Sequence, residues 1–475
     1  MEDSSKKLSE QLLFKAKNAY DDGAEGTAQK ARDYAEGYKA FLDAAKTERE
    51  AVKRGIEMAE AEGFRPFRFG EKLERGGKYY YNNCGKSLYL FSLGSEDIER
   101  DGIRITAAHV DSPRLDLKQH PLFEEGGFSY FKTHYYGGIK KYQWVTLPLA
   151  IHGVIAKKDG TIVPVSIGDE EEDPVFVITD LLVHLASKQL EKKGNVVVEG
   201  EKLDLLIGSR PLEQDPSLDQ EEKEAVKANV MELLKKYYDM EEEDFLSAEL
   251  EIVPAGKARD CGLDRSMVLA YGQDDRVCAF TSLFAILDTP QVTRTGCCIL
   301  VDKEEIGSVG ATGMHSRFFE NVVAELVAMT DGESELKVRR ALQNTRMLSS
   351  DVSAAYDPMY ADVFEKRSSA FFGKGLVFNK FTGSRGKSGS NDANAEYLAK
   401  IRGVMDDADV SYQFAELGKV DAGGGGTIAY IMANYGMEVI DSGVAVLSMH
   451  APWEVTSKAD VYEAYKGYVA FLKNM

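Results

Sequence analysis

Apolar residues along most of this chain recur either in short, almost unbroken runs or at spacings of three and four, and the two patterns alternate. The first sixty or so residues read as helix: Tyr34, Tyr38, Phe41, Leu42 and Ala45 fall at helical spacing in a stretch rich in Ala, Glu and Lys. From Lys78 the pattern turns strand-like in KYYYNN, SLYLFSL and GIRITAAHVDSP, the last stopping at His109 before Asp-Ser-Pro turn chemistry. LPLAIHGVIAKKDGTIVPVSIG predicts a hairpin turning at Lys-Asp-Gly. Residues 219–240 predict a helix with Val226, Val230, Leu233, Leu234 and Tyr237 on one stripe and Ser217 or Asp219 as its cap. After about residue 260, GCCILVD, TRMLSSD and GVAVLSMH read as strands covered on both faces, being closer to continuous apolar runs than to strict alternation. Between them VCAFTSLFAIL, RFFENVVAELVAMT and ANAEYLAKI read as helices.

This rhythm predicts an α/β fold, a central sheet covered by helices. It is carried by a discontinuous domain of residues 1–118 and 256–475 and interrupted by a β-rich insertion at 119–255. The acidic clusters DEEED from Asp169 and MEEED from Met240 read as solvated loops, since no calcium-loop ligand pattern accompanies them.

Composition narrows the function. A 44% hydrophobic content over 475 residues excludes global disorder. With 58 Lys and Arg against 78 Asp and Glu, the formal charge is −20, which argues against a nucleic-acid or anionic-membrane partner. No apolar stretch of about 18 residues predicts a membrane span. The polar MEDSSKKLSEQ start lacks a signal core, and Cys84, Cys261, Cys278, Cys297 and Cys298 show no framework spacing. A soluble, cytoplasmic protein is expected.

Histidine is scarce, at seven, and two of them sit where strand pattern gives way to loop: His109 and His450. Asp351, the pair Glu304-Glu305 and the pair Asp274-Asp275 occupy comparable positions. Strand ends of an open α/β sheet converge on one crevice. Two imidazoles and three carboxylates there suit two divalent metals, one carboxylate bridging. In Glu304-Glu305 one carboxylate can bind metal while its neighbour takes a proton from water, and Asp111 can accept the other ring N–H of His109.

The segments AAHVDSPRLDLK, DDRVCAF, DKEEIGS, SSDVSAAYDP and SMHAPWE resemble, in order and over nearly the whole chain, the motifs of the M18 family of zinc aminopeptidases. The resemblance implies a central mixed sheet of the di-zinc exopeptidase type with an inserted β-rich oligomerisation domain. It implies an enzyme that removes the amino-terminal residue, acidic or neutral, from peptides with a free amino terminus. Two Zn2+ per subunit are implied, with Co2+ or Mn2+ able to substitute: Asp274 bridges, His109 and Asp351 complete one site, and Glu305 and His450 the other. Glu304 is implied as general base and Asp111 as the residue orienting His109. A homo-oligomer, a dodecamer enclosing its active sites, is implied as well.

On the substrate side, FTGSRGKSGSNDANAEY stands where the family carries Lys-Gln-Arg-Tyr, so Arg385 and Lys387 are the expected local cations, a solvated Gly-Ser loop being the plain alternative. Gly424, in Asp421-Ala-Gly-Gly-Gly-Gly-Thr, resembles a family loop whose backbone amides meet substrate, and it is no P-loop. Asp180 stands where many members have a His that reaches a neighbouring subunit, while His184 matches a second one. His134 adjoins the Tyr136-Gly137-Gly138 motif and is a further candidate; His120, His152 and His315 read as structural. Two other functions compete: a related di-metal amidohydrolase or deacylase, and a non-catalytic assembly protein of the same fold.

Overall fold

Three strands, Ser87–Ser92, Ile103–His109 and Thr295–Val301, are buried along their whole length, as strands covered on both faces must be. They lie within a nine-stranded mixed sheet, seen in a computed structural model that describes residues 8–15, 17–21, 26–213, 223–289 and 291–475. Four parallel strands form its middle, in the order Thr295–Val301, Ile103–His109, Arg346–Ser350 and Glu438–Gly443. Ser87–Ser92 and Lys78–Asn83 extend one side as antiparallel neighbours, and Leu376–Asn379 joins the other antiparallel to Glu438–Gly443.

Alternate residues of these strands feed two cores. Leu88, Leu90, Cys298 and Leu300 pack with helices Thr27–Ala44, Glu48–Ala61, Gln273–Leu287, Ala395–Asp407 and Lys458–Asn474. Tyr89, Phe91, Cys297, Ile299 and Val301 face Phe318–Thr330 and Glu335–Asn344. The adjacent thiols Cys297 and Cys298 therefore point to opposite faces, buried and free. The chain is thus a mixed α/β fold with several sheets.

The expected helices 219–240 and 1–60 are shorter and interrupted. The first spans Ala225–Tyr238, with Val226 and Val230 buried but Leu233 and Tyr237 exposed, so its apolar stripe is narrower than the spacing predicts; Ser217 and Asp219 lie outside the described residues. At the start of the chain, Thr27–Ala44 ends at Ala44, and a reciprocal capping box of Thr47 and Glu50 opens Glu48–Ala61. GVAVLSMH is also divided. Gly443 ends the central strand Glu438–Gly443, whereas Ala445–Leu447 joins a separate five-stranded sheet with Met267–Ala270 and Glu454–Ser457.

A six-stranded antiparallel sheet draws every strand from residues 114–254, in the order Ile162–Ile167, Leu149–Ala156, Ala248–Pro254, Arg114–Glu125, Phe128–Tyr136 and Leu205–Gly208. The hairpin at Lys-Asp-Gly forms, closed by Lys157 N–H to the Thr161 carbonyl at 2.8 Å. Trp144 is fully buried in this sheet's own core. Asp169 departs from the solvated-loop expectation: its carboxylate pairs with buried His152 at 3.0 Å.

Candidate metal centre and active site

Three adjacent parallel strands deliver their carboxyl ends to one crevice. Ile103–His109 ends on His109; Val301, paired with His109, leads into Glu304 and Glu305 on one 3-10 turn; and Arg346–Ser350 stops one residue before Asp351. Asp274 opens the helix Gln273–Leu287, and His450 follows the short strand Ala445–Leu447. Lys303 (φ +71°) and His450 (φ +64°) adopt the left-handed conformation, which costs a non-glycine residue on the order of 1 kcal/mol and aims the neighbouring side chains into the crevice.

Asp274 stands between the two histidines. Its Oδ1 lies 3.2 Å from His109 Nε2, and its Oδ2 lies 3.2 Å from His450 Nε2. Glu305 Oε1 is 3.6 Å from His450 Nε2, while Asp351 and Glu304 approach His109 Nε2 at 4.0 and 3.9 Å. Each imidazole donates Nδ1–H to a backbone carbonyl at 2.9 Å, His109 to Asp111 and His450 to Gly138. In the neutral ring Nε2 is then a lone pair facing carboxylate oxygens, so either a bound cation or a proton on Nε2 must stand between them. Buried Asp274 Oδ1 and Glu305 Oε1 find no hydrogen-bond donor among the described residues. His109, Asp274 and Glu305 form one cluster with metal-ligand spacing, and His109, Glu304 and Asp351 another. The donor set therefore fits zinc.

The electrostatics of these side chains point the same way. Burial pushes Glu304 up to about 7, with the charges of Asp111 and Asp274 adding to it and His109 opposing. Glu305 and Asp351 are driven well above the usual carboxylate range, first by burial and then by Asp274 and Asp275 respectively. Asp274 is held below that range because its two imidazole partners outweigh its burial. Carboxylates crowded like this lack positive charge.

Asp111 does more than the sequence reading assigned to it, and differently. His109 Nδ1 lies nearer its carbonyl, at 2.9 Å, than its Oδ1, at 3.4 Å. The carboxylate instead accepts the backbone N–H of Glu304 on Oδ1 and of Glu305 on Oδ2, both at 3.1 Å, and the Tyr136 hydroxyl on Oδ2 at 2.9 Å. Sequence reasoning missed Glu454, although SMHAPWE contains it. Its carboxylate takes the backbone N–H of His450 at 2.8 Å and of Asp274 at 3.0 Å. It also gave no part to Ser112, whose hydroxyl holds the Asp274 carbonyl at 2.6 Å.

The crevice opens into a cavity of about 1280 Å³ lined by Asp274, Glu304, Glu305, Asp351, His450 and the glycines 424–426. Gly424 lies where expected. Arg385, Lys387 and His134 are exposed and do not line it; Ser384 and Ser388 do, and the cation that lines it is Lys140. Of the Gly383–Ser390 loop, Ser384 and Ser388 border the cavity, and His134 bonds the adjacent Tyr135 carbonyl. His184 and Asp180 are exposed and likewise absent from the lining.

A carboxylate flanked by two imidazoles at sheet ends is a donor set that suits a metallohydrolase. Residues 41–472 match the sequence model described as "Aminopeptidase I zinc metalloprotease (M18)". A "Probable M18 family aminopeptidase 1" of Clostridium acetobutylicum is 58% identical over 467 residues, covering 98% of this chain and 99% of the relative. Crystal structures of aminopeptidase I from C. acetobutylicum and of an M18 aminopeptidase from Thermotoga maritima superpose with TM-scores of 0.89 and 0.91, at 56% and 42% identity. Each comparison covers 98% of this chain and 100% of the other. The S. cerevisiae mApe1 dodecamer shares the fold at 20% identity and a TM-score of 0.74, over 94% of this chain and 97% of that one. The chain belongs to the M18 family of zinc metalloproteases and is an aminopeptidase-class hydrolase of peptide bonds.

Proposed function

We propose that the chain removes the amino-terminal residue from peptides at a two-zinc site in which Asp274 bridges, His109 and Asp351 complete one ion, and Glu305 and His450 the other. The observation that carries this reading is the placement of the two Asp274 oxygens, each 3.2 Å from a different imidazole Nε2. Zinc supplies, when bound, polarisation of the scissile carbonyl and acidification of the attacking water. Glu304, whose carboxylate stands 3.9 Å from His109 Nε2 in the same crevice, accepts the water's proton and returns it to the leaving amine. The negative potential of Asp274, Glu305 and Asp351 draws in the free α-amine, and the backbone of glycines 424–426 offers donors to the substrate from another wall. Membership of the family favours neither the deacylase nor the non-catalytic alternative.

The cavity wall supports a neutral amino-terminal side chain, since Val352, Ala354, Phe364, Val446, Leu447 and Met449 line it. An acidic side chain has Lys140 as its partner, which replaces the expected Arg385 and Lys387 in that role. We assign residues 1–118 and 256–475 to the peptidase domain, of the di-zinc exopeptidase type, and 119–255 to the inserted domain. The strand Arg114–Glu125 crosses that boundary. Leu181, Leu182, Val183, Leu185 and Leu190 of the insertion are exposed and support its role in a homo-oligomer, a dodecamer like that of the yeast relative. No helix among the described residues is long and apolar enough to cross a membrane, and a cytoplasmic site of action is proposed.

Glu304→Gln tests the base. The variant retains its zinc and loses about 10²–10⁴ of its turnover on leucyl-anilide. Full activity in the zinc-loaded variant ends the assignment.

A further inference from the structure

The expected ligands come from the large sheet's strand ends, the Gln273–Leu287 helix and the turn after Ala445–Leu447, yet two groups that hold them come from the end of a strand of the six-stranded sheet and the two residues after it. Strand Phe128–Tyr136 ends on Tyr136, whose hydroxyl donates to Asp111 Oδ2 at 2.9 Å, the oxygen that also takes the backbone N–H of Glu305. Two residues on, the Gly138 carbonyl accepts Nδ1–H of His450 at 2.9 Å. Between them Gly137 has φ +74°, and a methyl on its Cα would stand 3.2 Å from Glu305 Oε2. These three consecutive residues thus border both partners of one expected zinc, Glu305 and His450, and the carboxylate that pins the Glu304-Glu305 backbone.

Tyr136 is itself held from the sheet side. The Arg114 guanidinium lies 3.8 Å over its ring and is gripped by Glu251 at 3.0 Å and Asp116 at 2.8 Å, with Glu48 of the Glu48–Ala61 helix 3.7 Å away. The phenol therefore reaches Asp111 from a fixed position, with its ring clamped rather than free to swing.

We propose that the strap Tyr136–Gly138 is a positioning device for the metal centre. Through Asp111, Tyr136 sets the backbone that presents Glu304 and Glu305; through its carbonyl, Gly138 keeps His450 in the tautomer whose Nε2 is a lone pair. The six-stranded sheet accordingly completes the catalytic centre of its own chain. Partners of this kind beyond the ligands are worth about 10–100-fold in metal affinity or activity.

This proposal rests on the ligand reading above. The test measures zinc affinity of the full-length protein by competition with a chromogenic chelator, alongside kcat and KM on leucyl-anilide, for Tyr136→Phe, Gly138→Ala and the control Tyr135→Phe. A Cβ at Gly138 would meet His450 Nδ1 at 3.3 Å, so that variant disturbs the imidazole without touching Asp111. The expected result is zinc binding weakened about tenfold or more in Tyr136→Phe and Gly138→Ala, with kcat reduced and KM within about twofold, and no change in the control. Affinity and kcat within twofold of the parent in both variants overturn the proposal. So does loss of the fold in both, because the effect is assigned to the site; if only Tyr136→Phe misfolds, Gly138→Ala decides. A parent protein that binds no zinc sinks the ligand reading instead.

Discussion

Glu454 holds Asp274 by its backbone: Oε2 accepts the Asp274 N–H at 3.0 Å while Oε1 takes the N–H of His450 at 2.8 Å. The fully buried carboxylate belongs to the strand Glu454–Ser457, whose first residue pairs with Ala270 just ahead of the Asp274 helix. One side chain therefore ties together two proposed metal ligands that lie far apart in sequence.

Replacing Glu454 by Gln turns one of those acceptors into a donor facing a backbone donor. The cost of an unsatisfied buried group is about 1–3 kcal/mol. Calorimetry of the Glu454→Gln variant is expected to show a lower melting temperature, and chelator competition a weaker hold on zinc. Parent-like values in both measurements contradict the clamp.

The junction between the six-stranded sheet and the Glu48–Ala61 helix carries a pH dependence of its own. Burial lowers the basicity of His152, but Asp169 at 3.0 Å and Glu50 at 2.8 Å outweigh it and push the imidazole up to about 9. A raised histidine stabilises the fold fully below its unfolded value of about 6.5, and that contribution is lost as pH climbs through about 9. Between pH 6 and 9.5 the parent is expected to lose roughly 3 kcal/mol more than His152→Gln, read as a steeper fall in melting temperature. Parallel pH profiles for the two proteins rule this out.

Phe280, in the same helix as Asp274, packs its ring 5.3 Å from Tyr34, 5.3 Å from Tyr38, 5.4 Å from Phe41 and 4.3 Å from Phe284. It fastens the Thr27–Ala44 helix to the helix that opens on Asp274 and Asp275. Phe280→Ala leaves a cavity there and is expected to cost about 3–5 kcal/mol, seen as early thermal unfolding. A loss under 1 kcal/mol would mean the surrounding rings collapse into the space.

Lys140 lines the cavity and makes no ion pair among the described residues. Lys140→Met is expected to lower kcat/KM for aspartyl- and glutamyl-anilides about tenfold, the loss of one charge-assisted bond, and to spare the leucyl substrate. Arg385→Ala and Lys387→Ala should leave both unchanged. A selective loss of acidic substrates in the Arg385 or Lys387 variant would return the specificity role to that loop.

The strand ends bearing His109, Glu304, Glu305 and Asp351 are legible in the sequence because a buried parallel strand is an unbroken apolar run and its last residues enter the crevice. Glu438–Gly443 is not legible, since its buried Asp441 and Ser442 interrupt the apolar pattern; the Thr427 and Ser349 hydroxyls both donate to Asp441 Oδ1, a pairing invisible from one segment. The five-stranded sheet escapes for a simpler reason: its strands are two to four residues long. The strap and the Glu454 clamp are long-range relations. Gly138 and His450 are 312 residues apart, and no local periodicity reports such a contact. Charge in the exposed loop carrying Arg385 and Lys387 does not report which residues border the cavity, and there they are Ser384 and Ser388.

Asp274 is the proposed bridge between two zinc ions, one on the His109 side and one on the His450 side. Elemental analysis of the protein after zinc loading and removal of excess metal tests it most directly, for the parent and for Asp274→Asn. The account predicts two zinc ions per chain in the parent and a loss of bound metal in the variant. A parent that retains none, or an Asp274→Asn protein that keeps the full complement, contradicts it.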